Sequence, residues 1–385
     1  SVETIMERFV RVLDAVTAAP EAAVGDADIL IDSDHAHPVV EEVPRPGPAA
    51  GSLVDVFTRS VGAYGERIAV SAGTDAGLSY SQLDARSDTV AAALVDSGVR
   101  PGDRVGTLAW NHHRHLELYL AVPLAGAVLH TINLRLEPDE IDYIVDHADD
   151  TMIFADPSLE HLLAAVKRRR PSMPIQLIDD GYENLIATHE PLVEPVPRAE
   201  TDLAALCYTS GTTGAPKGVG YAHRSLYLHT MVAGLADGHA VSERDRALVV
   251  VPMFHANAWG VAFSAPGTGA KMVMPGAKMD GASIFELLDT EGVTFSAAVP
   301  TVWQMLLQHL RESGAKLPVL KKVVIGGAAC PEHIIRAFQE DYDVEVVHAW
   351  GMTETSPVGT LSVMTDELEK LPYDQQMPYR LKQGR

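Results

Sequence analysis

The chain has 385 residues, 46% of them hydrophobic, enough for more than one domain or for one large α/β unit with a sizeable core. Its 52 acidic and 30 basic residues give a formal charge of −22, which argues against nucleic-acid binding because that requires a basic stripe. The longest apolar run, Leu118 to Leu129, is too short for a membrane span and contains Pro123. Two cysteines, Cys207 and Cys330, and no visible signal peptide predict a cytoplasmic protein without a disulfide framework.

In chain order, Ile5, Phe9, Val12 and Val16 fall at helical spacing and predict an amphipathic helix over 2–19. Residues 1–35 read as a separate helical segment, and 36–51 as a linker stiffened by Pro38, Pro44, Pro46 and Pro48. From Ser52 to Arg385 strands and helices alternate. Ser81 to Asp84 reads as a capping box opening a helix that ends near Ser97, and 104–109 as a strand. Helices are expected over 115–127, 137–147, 225–235, 258–265, 283–289, 301–310 and 331–340. Strands are expected over 151–155, 203–208, 247–251, 293–299, 322–325 and 344–348. Such alternation predicts an α/β fold with mostly parallel sheets flanked by helices. His112, His113 and His115 read as a solvent-facing cluster at a helix start, since no carboxylate or cysteine stands at ligand spacing. Cys207 and Cys330 read as small core residues.

The segment Tyr208 to Gly218 carries the strongest chemical signal. After the strand come three glycines, Gly211, Gly214 and Gly218, with the hydroxyls of Thr209, Ser210, Thr212 and Thr213 and the cation Lys217. Glycines let backbone N–H groups turn toward a ligand, hydroxyls add donors, and a lysine attracts phosphate oxygens. The Walker pattern fails here, because Pro216 replaces its second glycine and Gly218 its metal-binding hydroxyl. The segment is read as a phosphate loop of another kind.

Together with Ala349-Trp350-Gly351-Met352-Thr353-Glu354 downstream, this segment resembles the adenylate-forming superfamily. That superfamily comprises acyl-CoA synthetases, adenylation domains of nonribosomal peptide synthetases, and luciferases. The resemblance covers about Gly51 to Arg385. It implies that Thr209, Ser210, Gly211, Thr212, Thr213, Gly214 and Lys217 cradle the ATP phosphates. It further implies that Glu354 binds Mg²⁺, that Thr353 bonds the α-phosphate, and that Trp350 lies against the adenine. Ala349, Gly351 and Met352 belong to the same nucleotide motif, and Gly326-Gly327-Ala328 resembles the loop lying along the nucleotide and the acyl group.

Pro252 to Gly260 resembles the acyl-site entrance, with His255, Trp259, Gly260 and Gly327 as substrate residues. Amino-acid-activating members carry an aspartate after the phenylalanine to pair with the substrate ammonium, whereas this chain has His255. A buried unpaired ammonium would cost several kcal/mol, about 3–5. The pocket therefore suits a carboxylic acid without an α-amino group. Ile132 to Leu136 also resembles acyl-CoA synthetases of the medium-chain type, and the first residues resemble the end of a peptide-synthetase condensation domain.

The implied activity is ATP- and Mg²⁺-dependent formation of an acyl-adenylate, catalysed with Lys217, Thr353, Glu354 and His255. The acyl group would pass to CoA or to the phosphopantetheine arm of a carrier protein. An amino-acid-activating domain, or an inactive interaction module of a larger synthetase, are the alternatives. Nothing after Gly359 matches the family's ribose-binding aspartate or the catalytic lysine of its small C-terminal domain. The expectation is a truncated large domain that cannot complete thioester formation alone.

Overall fold

The computed structural model describes residues 51–73, 76–209 and 215–384; the expected helix over 2–19 and the linker lie outside them. The strands are β1 (Ile68–Ser71), β2 (Leu78–Ser79), β3 (Arg104–Leu108), β4 (Val128–Thr131), β5 (Asp150–Ala155), β6 (Ile175–Leu177), β7 (Leu203–Thr209) and β8 (Lys217–Ala222). They continue with β9 (Arg246–Leu248), β10 (Lys271–Val273), β11 (Phe295–Ala298), β12 (Lys322–Ile325), β13 (Glu345–Gly351) and β14 (Val358–Leu361). Helices of eight or more residues are α1 (Leu53–Tyr64), α2 (Tyr80–Asp96), α3 (His113–Leu124), α4 (Pro138–Ala148), α5 (Asp180–Thr188), α6 (His223–Ala233), α7 (Gly281–Thr290), α8 (Pro300–Ser313) and α9 (Tyr373–Arg380).

Two sheets result. One has the order β14-β13-β12-β11-β9-β10-β1-β2, the other β6-β5-β3-β4-β7-β8. Inner pairings are parallel, and antiparallel pairs occur at the edges β13–β14, β1–β2 and β7–β8. Parallel strands covered on both faces need apolar side chains in both directions, and β3, β4 and β11 are buried along nearly their whole length. The first sheet's helices pack Trp303, Leu306 and Phe338 against Val323 and Ile325, and a larger core joins Tyr119, Phe154, Tyr182 and Met253. Cys207 and Cys330 are both buried. Among the described residues no helix is long and apolar enough to cross a membrane.

Three local expectations are corrected. The capping box of α2 is Ser79 with Gln82, two residues earlier than expected: the Ser79 hydroxyl accepts from the Gln82 amide and the Gln82 side chain accepts from the Ser79 amide. The histidine cluster does not all face solvent, because His115 is fully buried against Thr107 and the Trp110 carbonyl. The helix expected over 258–265 is broken. Ala256, Asn257, Ala258 and Trp259 have φ of 44°, 52°, 54° and 53°, and a right-handed helix starts only at Val261.

Candidate active site

The parallel strands β9, β11, β12 and β13 deliver their chain to one edge of the large sheet, the usual place for a ligand cleft in open α/β sheets. There a cleft of about 400 Å³, counting its open mouth, forms between three segments. The first is His255, Ala256 and Trp259; the second is Gly326 and Gly327, directly after β12; the third runs from Ala349 at the end of β13 through Thr353 to Pro357 and Val358.

Side chains elsewhere fix the first segment. Asn111 donates from its amide to the carbonyls of Val249 and Val251, both at 2.8 Å, and accepts from the Met253 amide at 2.9 Å. Tyr119 of α3 donates to the Met253 carbonyl. The chain then makes its left-handed turn, a conformation that costs L-residues about 1–2 kcal/mol each. The Cys207 thiol reaches the Asn257 side chain, and the Gly260 amide closes onto the Asn257 carbonyl at 3.0 Å. The turn presents Trp259 to the glycine loop: a Cβ at Gly326 or Gly327 would lie 3.3 Å from the indole. The Ala349 carbonyl at Gly326 and Val299 at Gly327 would lie slightly nearer still, so a side chain at either position would be crowded.

The third segment is a tight hairpin. A Cβ at Gly351 would lie 2.2 Å from the Pro357 carbonyl, and one at Gly359 would lie 2.7 Å from the Trp350 ring. The Trp350 indole therefore packs over Gly359 on the neighbouring strand β14 while remaining 41% exposed toward the cleft. Thr353 and Glu354 stand in a single 3-10 turn, with Glu354 exposed.

Nine expected site residues line this one cleft: His255, Trp259, Gly326, Gly327, Ala349, Trp350, Gly351, Met352 and Thr353. Thr209 and Lys217 are a register pair at the ends of β7 and β8, with Lys217 exposed. Ser210, Gly211, Thr212, Thr213 and Gly214 lie outside the described residues. Gly260 and Ala328 do not line the cleft; Gly260 leaves room for His229 instead. Pro357 and Val358 line it and were not singled out from the sequence, since small apolar residues carry no chemical signal. Tyr221 was also missed, although it alternates with Lys217 and Val219 on one face of β8.

The cleft's electrostatics are those of a neutral chamber with polar rims. His255 is exposed at the mouth, and desolvation by the apolar wall, with the Arg135 guanidinium nearby, lowers its pKa. Among the described residues lining the cleft there is no carboxylate. His229, behind the hairpin, is pushed down to about 4 by burial, so its Nε2 is free to accept from the Val358 amide at 3.3 Å. Among the described residues no group of three or more His, Cys, Asp or Glu side chains is placed to hold a metal ion on its own.

Open parallel sheets with a glycine-lined cleft at the carboxyl ends of their strands define an α/β ligand-binding protein. The comparisons narrow that class. Residues 57–380 match the family described as AMP-binding enzyme, and the chain belongs to that family. It is 42% identical over 351 residues to 3-methylmercaptopropionyl-CoA ligase of Ruegeria lacuscaerulensis, covering 87% of this chain and 65% of that protein. It is 41% identical over 352 residues to the medium-chain-fatty-acid–CoA ligase of Ectopseudomonas oleovorans, covering 87% and 64%. The inhibitor-bound N-terminal domain of FACL13 from Mycobacterium tuberculosis shares the fold, with a TM-score of 0.75 at 25% identity, over 83% of this chain and 80% of that one. The chain spans just under two thirds of the length of the curated relatives it matches.

Proposed function

We propose that this chain is the large domain of a carboxylic acid–CoA ligase, which activates a fatty or other non-amino acid with ATP as the acyl-adenylate. The observation that carries the substrate class is the absence of any carboxylate among the described residues lining the cleft, with His255 at its mouth. An α-ammonium placed there would be desolvated without an anion to pair with. The apolar walls of Ala256 and Trp259 suit an acyl group, and the Gly326-Gly327 loop lets it pass close to the backbone.

In this reading Thr209 and Lys217, with residues 210–214, hold the triphosphate, and Lys217 offsets charge developing at the leaving pyrophosphate. Trp350 meets the adenine face and Thr353 the α-phosphate. Glu354 supplies a hard oxygen to Mg²⁺, which would supply Lewis-acid stabilisation of the phosphates. His255 faces the acid, and its neutral form adds no charge beside the substrate carboxylate. The curated relatives are CoA ligases, which favours CoA as acceptor over a carrier protein and disfavours both the amino-acid-activating and the inactive readings. Residues 52–385 would form this domain, with 1–35 and 36–51 as a separate helical segment and linker.

The test is pyrophosphate exchange into ATP by the intact protein, with medium-chain and aromatic acids compared against amino acids. Exchange supported by the former and abolished in Lys217→Ala is expected. Exchange supported only by an amino acid would assign the chain to the peptide-synthetase class instead.

A further inference from the structure

The turn that carries Thr353 and Glu354 has little holding it except itself. Met352 donates to the Pro357 carbonyl at 3.1 Å and to the Thr355 hydroxyl at 2.9 Å, and Thr355 donates back to the Met352 carbonyl at 3.0 Å. Among the described residues, Met352 to Val358 make hydrogen bonds outside the β13–β14 hairpin at two points. The Tyr221 hydroxyl donates to the Thr353 carbonyl at 2.5 Å, and the Val358 amide donates to His229 Nε2 at 3.3 Å.

Both points belong to one stretch of chain, the strand–helix unit β8–α6 that begins at Lys217. Lys217, Val219 and Tyr221 share a face of β8, so Lys217 and Tyr221 stand about 13 Å apart along a rigid strand. Tyr221 is only 2% exposed and packs in the main core, so its hydroxyl has a fixed place. Burial, with Cys207 and Glu354 nearby, raises its pKa and keeps the phenol a donor at every physiological pH. A neutral buried phenol pointed at a lone loop carbonyl is a fixed strut.

We infer that Tyr221 is a positioning residue: its hydroxyl sets the Thr353–Glu354 turn in register with Lys217, so that two motifs 136 residues apart in the chain (Lys217 to Thr353) meet one triphosphate. The inference rests on the proposed nucleotide roles of Lys217, Thr353 and Glu354 and adds the element that couples them. Its hydroxyl donates to the Thr353 carbonyl, so it acts through that turn. His229 supplies the second tie at the far end of the turn.

The experiment compares this chain with its Tyr221→Phe variant by calorimetric titration with MgATP and, separately, with adenosine, alongside thermal unfolding. Losing the strut should weaken MgATP about tenfold, the effect of one hydrogen bond, while adenosine affinity stays within about twofold. A double-mutant cycle with Lys217→Ala supplies the second readout. Because both changes act on one phosphate site, their combined loss should be smaller than the product of the single losses. Unchanged MgATP affinity in Tyr221→Phe overturns the inference while leaving the ATP reading intact. Parallel loss of MgATP and adenosine affinity with a lowered unfolding midpoint reduces Tyr221 to a core residue and also overturns it. If the unsubstituted chain binds adenosine but not MgATP, the triphosphate reading fails and the inference fails with it.

Discussion

The imidazole of His229 occupies the space that a side chain at Gly260 would require: a Cβ there would lie 2.4 Å from Cε1 and 2.6 Å from Nδ1. Gly260 also has φ of +77°, in the left-handed region that disfavours a Cβ. Gly260→Ala should therefore destabilise the chain by about 1–3 kcal/mol and loosen the His229–Val358 bond. Urea unfolding of the variant measures the cost; a change below about 0.5 kcal/mol would show that His229 moves aside freely.

A second expectation concerns the buried acid Glu117, whose side chain has no exposure. Arg86 bonds it through Nε at 2.6 Å, Tyr182 donates to it at 2.8 Å, and the same guanidinium reaches Glu183 at 3.0 Å. Burial raises the Glu117 pKa, and Arg86 is the cation that offsets this. Removing Arg86 leaves a buried charge unpaired, so Arg86→Ala should cost about 3–5 kcal/mol. Adding Glu117→Gln in that background should restore part of it. Simple additivity of the two changes would mean that the pair is not coupled.

The sequence made the strands legible because burial on both faces demands short apolar runs: Lys322–Ile325 coincides with β12, and 203–208 falls within β7. It also brought nine residues to one cleft through motifs far apart in the chain. It could not show the left-handed turn at Ala256–Trp259, because four apolar or small residues beside Gly260 have the same periodicity as a helix start. The packing of Gly260 against His229 was hidden for a related reason, since His229 comes from another element. Tyr221 was hidden because a tyrosine in a strand reads as core, and only its partner Thr353 distinguishes it.

Acid should unfold this protein through its histidines. Burial lowers His113, His223 and His229 to about 4, and His115 and His239 to about 3. Each folded pKa is depressed below the unfolded value of about 6.5, so the folded state binds fewer protons. The stability they contribute is complete above about pH 6.5 and is lost as pH falls toward 4. Among the described residues neither His239 nitrogen has a partner, so His239→Leu should remove one proton from that dependence. Urea midpoints measured from pH 7 to pH 4.5 give the slope, and an unaltered slope in the variant would contradict the assignment.

Asp88 works in the opposite direction. Burial, followed by the neighbouring charge of Asp84, raises its pKa to about 6. A raised folded pKa favours the protonated form, so its contribution is present below about pH 4 and is lost as pH rises through 6. Asp88→Asn should stabilise the chain at pH 7 by up to about 1 kcal/mol after allowance for solvent screening, and give no benefit at pH 4. Thermal midpoints at the two pH values decide this.

The central claim is tested most directly by calorimetric binding of two stable adenylate mimics to this chain, one acyl and one aminoacyl. The lack of a carboxylate among the described residues lining the cleft predicts clear preference for the acyl mimic, lost in Thr353→Ala. Preference for the aminoacyl mimic would contradict the reading of His255 and place this chain among the amino-acid-activating members of its family.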